Sequence, residues 1–185
     1  EIAAVSTWFS TFSSNNEATS CYALKHEEIK FKQLYNIQIC HGASMIRKST
    51  LEKHNLKFDD SYVHAEDYDF FTRLSNISKL ANIDYFGYKV RDHENEISKL
   101  YSNIQTENST RVIKREFNKL GYDINDLQID TFRKLNHFEY NTITESFKEV
   151  ENLLMKLIEH NEVNNYINKK YLKEKLAYLW YHHCY

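Results

Sequence analysis

Hydrophobic and polar positions follow two regimes along the chain. From Ile2 to Phe12 apolar, β-branched and aromatic residues alternate with small polar ones, which predicts a strand. Ser13-Ser14-Asn15-Asn16-Glu17 predicts a turn. Ile29, Phe31 and Leu34, set among charges, predict a short helix over 25–35, and Ala43 to Arg47 a short strand. Ser49-Thr50-Leu51-Glu52 has the Ser-x-x-Glu form of a capping box and predicts a short helix ending near Asn55. Residues 65–77 carry a helical stripe and residues 80–90 alternate as a strand with Tyr85, Phe86 and Tyr88 as bulk. After Ser98 the pattern turns helical: 99–120 stopped by Gly121, a helix capped by Asn125-Asp126, one opened by Thr142-Ile143-Thr144-Glu145 and running to about 160, and a last over 168–182. Leu153, Leu154, Leu157 and Ile158 form a packing stripe in the third of these. The fold class is therefore α/β over 1–98, followed by an all-helical region over 99–185.

Composition narrows the function classes. The 185 residues suffice for one domain with a proper core, or a compact piece with a helical appendage. Net charge is −2 with both signs interspersed, which argues against a dedicated nucleic-acid surface. No apolar run approaches the roughly 20 residues of a membrane span. Three cysteines, Cys21, Cys40 and Cys184, without a Cys-x-x-Cys pair, predict a reduced, cytoplasmic setting. There is no Pro, and the three glycines are scattered, so this chain cannot form a Gly-rich phosphate loop. Glu1 opens directly onto a core-like strand, without Met or a signal-peptide pattern, which predicts a piece of a longer polypeptide.

The densest chemistry is His64-Ala65-Glu66-Asp67-Tyr68-Asp69-Phe70-Phe71, with Arg91-Asp92-His93 following the next strand. On a helix Asp67 shares a face with Phe70, Phe71 and Leu74, so it points inward or into a cleft, while Glu66 lies about 100° away. Such an Asp67 suits a general base, but acids in a first turn also simply favour the helix dipole, and spacing alone leaves both open. Asp69 and Arg73 read as an i,i+4 surface pair. Asp67-Tyr68-Asp69 spells Asp-x-Asp, yet on a helix these two point apart and cannot share a metal. His93, beside Asp92, Glu94 and Glu96, is either a ligand of a divalent metal or a solvated loop residue. His41, before Gly42, lines a cleft or a loop. His182-His183-Cys184 reads as a frayed helix end rather than a metal cluster.

The ordered set His41-Gly42-Ala43-Ser44-Met45-Ile46-Arg47-Lys48, Phe58-Asp59, Ala65 to Leu74, and Tyr88-x-x-Arg91-x-His93-x-x-x-x-Ser98 resembles the second half of family 2 glycosyltransferases, inverting enzymes of the GT-A fold. The resemblance covers about 1–99. It implies a partial GT-A domain whose nucleotide-binding half, with its metal-binding Asp-x-Asp, is absent from this chain. It also implies a nucleotide-sugar donor, a glycan or other hydroxyl acceptor, and Mn2+ or Mg2+ on the diphosphate. Asp67 would be the base and Glu66 would orient it or support the acceptor. Arg91 would lie near the phosphates or Glu66, His93 would be a metal ligand, and His41 to Arg47 would border the acceptor cleft. Polysaccharide or protein-glycan assembly in the cytoplasm, with membrane-surface association left open, is the setting this implies. Two other classes stay open from the residues themselves: a non-catalytic carbohydrate- or protein-binding module, and a metal-dependent hydrolase using His64, Glu66, Asp67 and His93.

Overall fold

The computed structural model describes residues 1–13, 17–93 and 96–184. Ser14, Asn15 and Asn16 of the predicted turn, and Glu94 beside His93, lie outside the described residues. The chain forms two compact units, Glu1–Val112 and Ile113–Tyr185, and the division falls inside one helix.

The first unit is built on β1 (Ile2–Phe12), the predicted strand. β2 (Glu17–Ser20) pairs antiparallel with its far end, Phe9 opposite Ser20. β3 (Met45–Ile46) pairs antiparallel at Ala4 and Val5. β4 (Lys79–Arg91) runs parallel to β1 along nearly its whole length, with irregular register around Trp8. The result is a small mixed sheet. β2 escaped the sequence reading because Glu-Ala-Thr-Ser is short, polar and mostly exposed; backbone pairing, not burial, makes it a strand.

The helices of this unit are α1 (His26–Lys32), α2 (Lys48–His54), α3 (Glu66–Ile77) and α4 (Ile97–Leu100), with a single 3-10 turn at His41–Ala43. The next helix, α5 (Ser102–Leu120), crosses the division between units. The buried positions of β1 are small, Ala3, Ala4, Ser6 and Ser10, and the bulk of the core comes from Phe70, Phe71 and Leu74 of α3 with Ile29, Ile39 and Leu80. Small residues on the strand leave room in the shared core for the aromatic side chains of α3.

Asp69 corrects one expectation. It is fully buried, not at the surface, and Arg73 binds it through Nε at 2.9 Å and through Nη2, which also reaches the Lys57 carbonyl at 2.7 Å. The pair fastens the segment before α3 to the helix, and its burial makes each partner necessary to the other.

The second unit packs α6 (Asp126–His137), α7 (Phe147–Asn164) and α8 (Lys169–Cys184) with the end of α5. Phe117, Phe132, Leu135, Leu157, Leu172 and Leu176 are buried in it. Leu153, Leu154 and Leu157 are buried as the stripe predicts. Gly121, at φ 98°, ends α5 in the left-handed conformation that favours glycine. Asn125 caps α6 in a reciprocal box with Gln128.

Two predicted capping boxes are displaced. α2 begins at Lys48, so Ser49 already lies inside it and Arg47 caps it without a side-chain bond. α7 begins after Ser146, which forms the box with Glu149. Thr142 instead closes a 3-10 turn and donates to the Glu139 carbonyl, while Glu145 accepts from Thr131 and Thr144. Among the described residues no helix is long and apolar enough to cross a membrane.

Candidate active site

The mouth of α3 is where the chain concentrates unusual chemistry. Ala65 occupies the cap position and has no polar side chain to offer the free N–H groups of the first turn. One carboxylate serves a first-turn N–H, and the other turns back to the loop before the helix. Asp67 Oδ1 accepts from the Tyr68 N–H at 2.7 Å, and Glu66 Oε1 accepts from the His64 N–H at 3.0 Å. Glu66 is thus turned back along the preceding loop, while Asp67 stays with the helix; the two acids part as their 100° offset requires.

Four long-range bonds bring other elements to this mouth. The Tyr68 hydroxyl donates to the Gln33 carbonyl at 2.7 Å, tying α3 to the end of α1. Asn82 of β4 donates to the carbonyls of Ala23 and Gln38, at 2.6 and 2.8 Å, and so joins the segments that carry Tyr22 and Cys40. Ser6 of β1 donates to the Cys40 carbonyl at 2.9 Å. His41 follows on the 3-10 turn, its ring 5.4 Å from Phe58 and 6.1 Å from Phe71; Phe58 in turn stacks on Phe70 at 4.3 Å.

Asp67 is half-buried, and burial raises its carboxyl above the ordinary value. The Tyr68 N–H and the nearby His41 oppose that rise, and Glu66 adds to it. Burial also raises the Tyr22 phenol, with Cys40 and Asp67 contributing, and raises the Cys40 thiol against the N–H groups of Ala43 and Gly42. At neutral pH both therefore remain protonated beside the carboxylate. A desolvated carboxylate with no Lys or Arg partner among the described residues is suited to taking a proton.

The predicted site residues divide between this mouth and other places. Asp67, Glu66 and His41 come together. Arg47 does not join them. Its Nε contacts the Ile2 carbonyl and Glu1 Oε1, each at 3.3 Å. Ser78, just beyond the C-terminus of α3, bonds to the Glu1 carbonyl as well. α3 has 12 residues, a length of about 18 Å, so Arg47 stands at its opposite end from Asp67. Arg91 ends β4 opposite Phe12, its guanidinium 6.0 Å from that ring. It lies three residues, roughly 10 Å of strand, past Tyr88, whose ring abuts Gly42 of the 3-10 turn.

His93 is exposed; its N–H and carbonyl meet Glu96 and Lys99, and Lys99 also holds the carboxylate of Asp92. Among the described residues no group of three His, Cys, Asp or Glu is placed to hold a metal. One exposed imidazole beside an engaged carboxylate does not by itself fit a divalent cation. His64 precedes the helix and stacks on Tyr101 at 4.6 Å.

Sequence reasoning missed Tyr22 and Cys40 as neighbours of Asp67. Cys40 carried one signal, its position beside His41. Tyr22 carried none, since the Asn82 and Gln38 bonds that seat its segment join distant parts of the chain.

Comparison with known proteins gives one direction. A protein of Haemophilus influenzae described as an uncharacterized glycosyltransferase is 31% identical to this chain over 121 residues, 63% of the chain and 37% of that protein. The chain spans little more than a third of the length of this curated relative. No family model matches the chain, and no solved structure matches it.

Proposed function

We propose that this chain is the acceptor-side part of a glycosyltransferase of family 2 type with a GT-A fold, in which Asp67 is the general base. One observation carries the reading: Asp67 stands half-buried at the mouth of α3, its carboxyl raised by desolvation, with His41 beside it and no Lys or Arg paired to it among the described residues. The similarity to the Haemophilus influenzae protein supports sugar transfer in general. The order of the motifs, from His41 through Asp67 to His93, supports the finer assignment.

In this reading an acceptor hydroxyl gives its proton to the Asp67 carboxylate as its oxygen attacks the anomeric carbon of a nucleotide-sugar. The bond to the diphosphate breaks in the same displacement, its electrons leave with the diphosphate, and the configuration inverts. Glu66, engaged by the His64 N–H, holds the turn beside the base. His41 borders the acceptor and its imidazole tempers the charge on Asp67. Arg91 faces the diphosphate side. His93 is proposed as one ligand of Mn2+ or Mg2+, with the remaining ligands from outside the described residues; the displacement is argued without it.

The test is Asp67→Asn in the complete protein. Transfer is lost while donor binding persists. Undiminished turnover in that variant removes Asp67 from the role of base. A second reading is a non-catalytic carbohydrate- or protein-binding module. It predicts ligand binding by the complete protein without turnover of any nucleotide-sugar.

A further inference from the structure

The segment that delivers Glu66 and Asp67 to the helix is strained and is held from one side. The Ala65 N–H donates to the Tyr62 carbonyl at 2.8 Å, closing a turn whose third residue, His64, has φ 63°. That position favours glycine, and a histidine there persists only where its surroundings hold it. The turn sends the carbonyls of Ser61, Val63 and His64 away from backbone partners. α5 collects all three. Gln105 Nε2 donates to the His64 carbonyl at 3.0 Å, Asn108 Nδ2 to the Val63 carbonyl at 2.8 Å, and Arg111 Nη1 to the Ser61 carbonyl at 2.9 Å. Arg111 also donates to Asn108 Oδ1 at 2.7 Å and lies 4.6 Å from the centre of the Tyr62 ring. Spaced three apart, these residues span about a third of the helix circumference. Asn108 is buried, so the carbonyl it serves would have little water to replace it.

We propose that Asn108 and Gln105 are positioning residues for the helix-mouth carboxylates: by holding the carbonyls of Val63 and His64 they keep His64 left-handed and fix the direction from which Glu66 and Asp67 enter α3. The geometry stands on its own; its catalytic meaning rests on the glycosyltransferase reading. It gives the first half of α5, which lies beyond the residues the family resemblance covers, a part in the site.

Asn108→Asp is the discriminating variant. It keeps the shape and the acceptor for Arg111 but removes the donor to Val63, and Gln105→Glu does the same at His64. Hydrogen exchange on the protein reads the result without activity. The His64 and Tyr68 amides, which bind Glu66 and Asp67, should exchange about tenfold faster in Asn108→Asp, while the amides of β1 keep their rates. Unchanged rates at His64 and Tyr68 in both variants overturn the proposal, as does a uniform rise across the first unit, which would mean general loosening. In the complete enzyme kcat should fall with KM for the donor unchanged; a normal kcat beside a loosened turn also overturns the positioning role. If the wild-type enzyme transfers no sugar, the function reading fails and the exchange result still decides the clamp.

Discussion

Asp67, at the mouth of α3, and Glu116, in the helical unit, are both carboxylates withdrawn from water, and their surroundings treat them in opposite ways. Glu116 is fully buried and saturated: Arg115 Nε donates at 2.7 Å, Lys119 Nζ at 3.0 Å, and the Tyr166 hydroxyl donates as well. Asp67 is less buried and is met only by backbone N–H groups, those of Tyr68 and of Asp67 itself, and a nearby imidazole among the described residues. Burial with full pairing makes a charge part of the framework. Burial with too few partners keeps a carboxylate ready to bind a proton, at a cost to the fold. The depth of a charge is therefore a poorer guide to its role than the number of donors around it.

On the proposed reading, the sharpest break of this comparison is Asp67→Asn, expected to lower transfer by roughly 10²–10⁴-fold in the complete protein, read as kcat. The same variant should stabilise the fold slightly at neutral pH. The folded pKa of Asp67 is raised, so its contribution to stability is fully present below the unfolded value, about 3.9, and is lost as pH rises through the folded value. Asparagine does not titrate, so its advantage should open above about pH 4 and vanish below it, measured by urea midpoints across pH. A destabilised Asp67→Asn at pH 7 would place Asp67 with Glu116, as framework.

Glu116→Gln should do the reverse. It weakens three donor contacts to a buried carboxylate and should cost about 2 kcal/mol in urea unfolding, while kcat per folded molecule holds. A comparable loss of kcat would show that the helical unit's ion network reaches the chemistry. Next in size is His26, whose Nδ1 accepts the Leu80 N–H at 3.2 Å and whose pKa burial lowers. Its contribution is present above the unfolded value of about 6.5 and is lost as pH falls through the lower folded value. The loss, about 1 kcal/mol for one hydrogen bond, should disappear from the pH–stability curve of His26→Gln. The smallest contrast is between two serines. Ser146→Ala removes a working helix cap and should cost about 1 kcal/mol. Ser49→Ala lies inside α2 and should cost less than about 0.5 kcal/mol in the same measurement.

That contrast also shows what local pattern can convey. Ser49 and Thr142 satisfied the capping rule as well as Ser146 does, and a local rule cannot say which candidate the chain's path selects. The strand at 2–12, the helix at 66–77 and the strand at 79–91 were legible because their periodicities are long and belong to the backbone itself. The inward face of α3, with Asp67 ahead of Phe70, Phe71 and Leu74, was legible for the same reason. Asp69 was not: i,i+4 spacing with Arg73 is the same on a surface or in a core, and only the tertiary packing around α3 buries it.

By itself, then, the sequence determined the elements with strong period, the acids at the helix mouth, the helical character of the chain beyond β4, and the order of motifs that points toward sugar transfer. Tertiary structure decided who stands beside Asp67. Tyr22, Cys40 and the clamp from Gln105 and Asn108 come from segments far apart in the chain, joined by hydrogen bonds to carbonyls. A carbonyl is present at every residue and leaves no mark in the sequence, so which side chain will reach which carbonyl is fixed only when the chain closes on itself.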